Sequence, residues 1–173
     1  MDYIYHYDSP LGRMTMAGDG DALTGLWFDG QKCFAETTDR EYEEKALPVF
    51  SETARWLNLY FSGSVPDFTP ELAMRATAFR RTVWKILLTI PYGRTITYGE
   101  IAERLAERTR LPRMSARAVG GAVSHNAFLL IVPCHRVIGA DGSLTGYAGG
   151  LQRKTVLLEM EKNGRGLWRT DRV

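Results

Sequence analysis

Phe128-Leu129-Leu130-Ile131-Val132 is a run of five apolar residues that stops at Pro133 and is followed at once by Cys134-His135-Arg136. Five apolar residues in succession cannot all lie on one face of a half-exposed strand. The run therefore reads as a short buried strand from Phe128 to Val132. Pro133 fixes φ and removes a backbone donor, which ends pairing and places Cys134 where the sheet gives way to a cavity or to the surface. A thiolate is a nucleophile, and a nearby imidazole or guanidinium raises its population by lowering a pKa that starts near ~8.5. His135 and Arg136 offer both kinds of help. The alternative for Cys134 is an inert core residue, because a lone cysteine after a hydrophobic strand usually is one. Neighbours on an extended segment also point to opposite sides, so His135 reaches Cys134 only through a turn or a bridging water.

The remaining composition sets bounds on function. A chain of 173 residues holds one substantial core or two small ones. No apolar run approaches the ~18 residues of a membrane span, and the start Met1-Asp2-Tyr3-Ile4 has no basic signal-peptide region, so the expectation is a cytoplasmic protein with no membrane partner. Cys33 and Cys134 make no metal pair and no disulfide framework in a reducing compartment, and no metal is indicated. Charge is divided unevenly. Residues 1–76 carry six Lys and Arg against thirteen Asp and Glu, a net of −7, whereas residues 77–173 carry sixteen against seven, a net of +9. Thirteen of those sixteen basic residues are arginine, which suits bidentate contacts to phosphate and bases. The basic half points to nucleic acid as a partner, ordinary solvated surface charge being the alternative.

The same division appears in the local patterns. Tyr3, Tyr5 and Tyr7 alternate with Ile4 and His6, while the stretches 14–17 and 23–28 flank the turn cluster Gly18-Asp19-Gly20-Asp21, so a strand meander is expected. Pro48 can open a helix with Val49, Phe50, Thr53, Trp56, Leu57 and Tyr60 on one stripe and Gly63 as its stop. Cys33 and His6 read as packing or surface positions. The segment 64–70 is the expected linker, giving a small α/β domain over 1–76 and a second domain over 77–173. Phe79, Val83, Ile86, Leu87 and Ile90 recur at helical spacing until Pro91. Thr97-Tyr98-Gly99-Glu100 fits a capping box, which puts Tyr98 on the first turn of a helix. Ser115 caps a second short helix through Ser124, and the pair suggests a helix-turn-helix. That second helix carries almost only small residues, with Arg117 its one long side chain on the first turn. Interior glycines cost about 1 kcal/mol each against alanine, which makes sense if a ligand or another backbone comes close, helix packing being the alternative. Val137-Ile138 and Ser143-Leu144 flank a hairpin-type turn, and Gly146 to Gly150 form a loop with one aromatic, Tyr147. A last helix runs from Leu151 to about Lys162, and Glu161 shares the face of Leu157 and Leu158; turned toward the core it needs a partner, for which His135 is the candidate, solvation at a frayed helix end being the alternative.

From about Phe79 to Glu161 the chain resembles the O6-alkylguanine-DNA alkyltransferases. The matching residues are Val83-Trp84, Ile90-Pro91-Tyr92-Gly93, Thr97-Tyr98-Gly99-Glu100, Arg117-Ala118-Val119-Gly120-Gly121-Ala122, Asn126, Ile131-Val132-Pro133-Cys134-His135-Arg136-Val137 and Gly146-Tyr147-Ala148-Gly149-Gly150. The resemblance implies a ribonuclease-H-like α/β N-terminal domain and a mostly α C-terminal domain with a helix-turn-helix and a short strand leading to the cysteine. It implies Cys134 as acceptor thiol, His135 as the water-linked base, Glu161 as the acid that steadies it, Asn126 as the hinge, and Tyr98 as hydrogen-bond partner of the extruded guanine. Val132, Tyr147, Ala148 and Gly149 would form the base pocket, and Arg117, Ala118, Gly121 and Ser124 the face toward DNA, with Arg117 filling the gap in the stack. The implied activity is irreversible, single-turnover alkyl transfer from O6-alkylguanine in double-stranded DNA by a monomer without cofactor. The 109–114 connection looks extended relative to shorter members. A noncatalytic, alkyltransferase-like binder of alkylated DNA is the rival reading, and a thiol hydrolase or redox protein the third.

Overall fold

A computed structural model describes residues 1–111 and 114–168 of the chain. Pro112 and Arg113, in the connection expected to be extended, lie outside the described residues. The N-terminal part is a four-stranded sheet. Strands β1 (Asp2–Ser9), β2 (Gly12–Gly18) and β3 (Leu23–Phe28) form the expected antiparallel meander, and β4 (Tyr42–Glu44) adds in parallel beside β1, giving the order β3-β2-β1-β4. Strand β4 has three exposed residues and no apolar alternation, so nothing in its sequence announced it. Helix α1 (Pro48–Phe61) starts at its proline and buries Val49, Phe50, Thr53, Trp56, Leu57, Tyr60 and Phe61, the stripe that its spacing predicts.

The C-terminal part is helical. It comprises α2 (Ala78–Leu87), β5 (Ile96–Thr97), α3 (Tyr98–Thr109), α4 (Ala116–Ser124), β6 (Val137–Ile138) and α5 (Leu151–Asn163). Thr97 and Glu100 make both bonds of the capping box that opens α3. Ser115 caps α4 by accepting from the Ala118 N–H, and Gly164 ends α5 in the left-handed region at φ 67°. The buried Trp84 indole of α2 donates to the Ala122 carbonyl at 2.9 Å, which locks α4 against α2. The expected hairpin arm at Ser143-Leu144 is not a strand. Instead β6 pairs in parallel with β5.

The expected strand over 128–132 is likewise absent. All five residues are buried, but the chain turns through them, with Leu130 at φ 73°. Asn126 explains the turn: its Oδ1 accepts from the Phe128 N–H at 2.9 Å and its Nδ2 donates to the Val132 carbonyl at 2.8 Å. A side chain thus takes the backbone groups that a sheet partner would have used. Burial was read correctly from the run, and strand geometry was not. The segment docks on β3, whose Leu26 N–H donates to the Ala127 carbonyl and whose Leu26 carbonyl accepts from the Leu129 N–H. Further along, Leu23 exchanges two backbone bonds with residues 71 and 73. The edge of β3 is therefore covered by the connecting segment and by the residues just before Cys134.

Close packing at β3 gives a direct test. A Cβ added at Gly25 would lie 1.8 Å from the Trp27 indole, which folds back over that position. Gly25→Ala should destabilise the protein by about 1–3 kcal/mol through overpacking. Chemical denaturation of the two proteins measures it, and equal midpoints would show that Trp27 moves aside freely.

Candidate active site

Cys134 opens a 3-10 turn, Cys134–Arg136, and is buried. It lines a cavity of about 430 Å³ together with Cys33, Tyr98, Gly120, Ser124, Thr145, Gly146, Tyr147 and Ala148. Burial pushes the Cys134 thiol up to about 11, against the pull of the Asn126 amide and the Lys154 ammonium. At neutral pH the thiol is therefore protonated, and its chemistry requires a base.

Behind it lies a buried charged cluster. Glu161 Oε2 is 2.5 Å from His135 Nε2 and accepts from the Tyr60 hydroxyl at 2.6 Å. Glu161 Oε1 accepts from Arg136 Nε at 2.7 Å and from the Gly93 N–H at 3.0 Å, and Arg136 Nη2 reaches Oε2 at 3.2 Å. Burial alone would raise the Glu161 pKa, but the hydrogen bonds from His135 and Arg136 and the guanidinium charge overcome it and hold the carboxyl well below the usual carboxylate range. Burial pushes the His135 pKa down, with Glu161 opposing, so the ring is neutral at rest. Its tautomer follows from its neighbours. Tyr60 spends its single proton on Glu161, so both groups near Nε2 are acceptors there, and Nε2 carries the proton. Nδ1 keeps the lone pair, and it is buried with no hydrogen-bond partner among the described residues. Tyr60 and Tyr147 hold the imidazole edge to face at 6.2 and 6.5 Å.

Arg136 does not serve the thiol as its sequence position suggests. It is spent on Glu161 and on the Ile90 carbonyl at 2.7 Å. The cation that does act on the thiol is Lys154, fully buried, which donates to the carbonyls of Val137 at 2.5 Å, Thr145 at 3.1 Å and Gly146 at 3.3 Å. Sequence reasoning passed over both Lys154 and Tyr60. The signal was present in α5, where Lys154 shares the helical face of Leu157 and Glu161, and in α1, where a tyrosine hydroxyl on a core stripe needs a partner.

The other singled-out residues fall as follows. Tyr98 lines the cavity and donates to the Thr145 carbonyl at 3.1 Å. Tyr147 and Ala148 line it too, but Gly149 lies behind them: a Cβ there would come within 2.8 Å of the Tyr147 ring. Val132 is fully buried and serves Asn126 through its carbonyl. Arg117, Ala118, Gly121 and Ser124 are all exposed on one face of α4, opposite buried Val119, Ala122 and Val123. A Cβ on Gly120 or Gly121 would meet nothing within 4 Å, so packing inside this protein does not require either glycine. The alternative of helix packing is thereby removed, and the bare surface is available to something outside the chain.

Two family models match the chain. The family described as 6-O-methylguanine DNA methyltransferase, ribonuclease-like domain, matches residues 3–74, and that described as 6-O-methylguanine DNA methyltransferase, DNA binding domain, matches residues 78–163. A methylated-DNA–protein-cysteine methyltransferase of Mycobacterium tuberculosis is 48% identical over 163 residues, covering 92% of this chain and 94% of the relative. One from Methanosarcina acetivorans is 43% identical over 159 residues, covering 92% and 97%. A crystal structure of Mycobacterium tuberculosis OGT in complex with DNA superposes with a TM-score of 0.81 at 46% identity over 95% of each chain.

The Glu161 cluster predicts a stability effect with a defined pH window. Glu161→Gln leaves Arg136 without its counter-charge, and breaking a buried pair costs about 3–5 kcal/mol. Because the folded-state pKa of Glu161 is depressed, its contribution is complete above the unfolded value near ~4.3 and is lost as pH falls through the lower folded value. Denaturation of both proteins at neutral pH and in acid should show a difference that narrows in acid. A gap independent of pH would refute the ionised carboxylate.

Proposed function

The chain belongs to the 6-O-methylguanine DNA methyltransferase family, and on that premise we propose that Cys134 is the residue that accepts the alkyl group. The protein repairs DNA by alkyl transfer, with DNA carrying alkylated guanine as its partner. The observation that carries the assignment of Cys134 is the cavity, which it lines together with Tyr98, Tyr147 and Gly120 and Ser124 of α4. Guanine O6 lies within the duplex, so an alkyl group there meets a buried thiol only when the nucleotide is flipped out.

The residues then have distinct tasks. His135 Nδ1, through a water, takes the thiol proton, and the imidazolium so formed is stabilised by Glu161 through Nε2–H. Sγ attacks the alkyl carbon, the carbon–O6 bond breaks, and its electron pair stays on guanine. Guanine takes up a proton, which balances the one lost by the thiol. Tyr98 has a single hydroxyl proton and must release Thr145 to donate to the leaving base, a bond worth most as negative charge develops. Lys154 holds the carbonyls of residues 145 and 146 and adds positive charge near the thiolate. The product is a thioether, which does not exchange as disulfides do, so each chain acts once.

Helices α3 and α4 act as a helix-turn-helix, with the small-residue face of α4 against DNA and Arg117 reaching into the stack. The N-terminal sheet with α1 is read as ribonuclease-H-like. The two matched segments, 3–74 and 78–163, support a boundary at residues 76 and 77. Among the described residues no helix is long and apolar enough to cross a membrane. We further place the protein in the cytoplasm as a monomer, and both of its cysteines are free thiols.

Incubation with duplex DNA carrying one O6-methylguanine tests the assignment. Intact mass should rise by one methyl group, saturate at one per chain and map to Cys134. Bound DNA with no mass gain would favour a noncatalytic binder of alkylated DNA. Arg117→Ala should slow repair of duplex by at least tenfold while leaving reaction with free O6-benzylguanine nearly unchanged. Equal losses on the two substrates would remove Arg117 from the opening of the stack.

A further inference from the structure

We infer that Cys33, Glu36 and His125 form a binding site for a divalent cation of borderline softness, such as Zn²⁺, where the loop after β3 meets the C-terminal end of α4. Sequence reading treated Cys33 as a lone packing or surface residue, because His125, which completes the group, is distant in the chain. In the fold, Cys33 Sγ lies 3.5 Å from His125 Nδ1, Glu36 Oε2 lies 2.9 Å from the same nitrogen, and the three atoms fall within 4.8 Å of one another.

The convergence on one nitrogen is the telling feature. In a catalytic relay the thiol and the carboxylate would use opposite nitrogens of the ring. Here both use Nδ1, which carries either one proton or one lone pair. Without an ion, the Glu36 carboxylate is hydrogen-bonded by His125 Nδ1 and by the Cys33 thiol, so the three groups already face one centre through protons that a cation can replace. A cation at the centre satisfies all three atoms at once. The distances also suit it: with Zn–S about 2.3 Å and Zn–N about 2.05 Å, a tetrahedron has a sulfur-to-nitrogen edge of about 3.6 Å. The nitrogen-to-oxygen edge would open by about half an ångström, well within the reach of a partly exposed glutamate. A thiolate, a carboxylate and a neutral imidazole together carry two negative charges, which balance a divalent ion.

The loop is shaped for this. Cys33 and Ala35 adopt φ of 57° and 56°, a region that residues with a Cβ seldom occupy, and the turn folds Cys33 and Glu36 onto the same side. His125 is the residue that caps α4, so its ring is held by the helix that Trp84 anchors. Three protein ligands leave a fourth coordination position, and Cys33 also lines the cavity that contains Cys134. An ion there would fasten the N-terminal loop to the end of α4 beside that cavity. Binding would displace the Cys33 thiol proton.

Titration of the metal-free full chain with Co²⁺ tests the site without any DNA. One equivalent should produce a sulfur-to-cobalt charge-transfer band and tetrahedral ligand-field bands, and Zn²⁺ should displace them. The bands should persist in Cys134→Ser, disappear in Cys33→Ser and in His125→Ala, and require at least tenfold more metal in Glu36→Gln. Zn²⁺ should raise the melting temperature of the wild-type chain and leave that of Cys33→Ser unchanged. Bands that depend on Cys134, or their absence at a large excess of Co²⁺, would overturn the proposal. The outcome is independent of alkyl transfer, because the readout is metal binding alone.

Discussion

An ionised carboxylate in the interior is the constraint around which the C-terminal half is arranged. An isolated carboxylate taken out of water carries a penalty of several kcal/mol, so Glu161 can be buried only if its lone pairs are filled. The four partners come from three separate places: Tyr60 from α1, Gly93 from the turn before β5, and His135 and Arg136 from the turn that begins with Cys134. Each is fixed in turn, as Arg136 also binds the Ile90 carbonyl and His135 sits between two tyrosine rings. Satisfying one charge thus determines the position of α5, the orientation of the imidazole and the direction in which the adjacent thiol points.

A second arrangement places that turn relative to the sheet. Asn126 ties the backbone of residues 128 and 132 to itself, and the loop so formed lies along the open edge of β3. The strand edge gains partners, and the loop gains a rigid base. The thiol is consequently referenced to both halves of the chain, to the sheet through Leu26 and to the helices through Glu161. Lys154 adds a third attachment, joining β6 to the segment that carries Tyr147.

Much of this was legible in the sequence, and the parts that were not have a common cause. Stripe and cap signals act within one element, so α1, the capping box of α3 and the start of α4 could be read directly. The face of α5 was enough to demand a partner for Glu161. Periodicity could not tell a buried strand from a buried turn at 128–132, because the decision rests with one side chain, Asn126, that replaces a strand neighbour. Strand β4 depends on pairing rather than on its own residues. The meeting of Cys33 and Glu36 with His125 joins positions about ninety residues apart, which no local pattern encodes. Lys154 was missed for another reason: a lysine is ordinarily solvated, and only its three carbonyl partners make its burial intelligible.

The exposed side of α4 has a consequence for what this protein can discriminate. A helix that recognises a particular base sequence needs side chains long enough to reach base edges with donors and acceptors. This one offers methyl groups, bare backbone, one serine hydroxyl already given to the Gly121 carbonyl, and a single guanidinium. Such a surface has almost no vocabulary. Set against DNA as proposed, it would follow the contour of a groove and sense how readily a nucleotide yields, but it would not spell a site. That poverty is an advantage in a protein whose target arises by chemical accident, since a lesion must be removed wherever it falls in the genome.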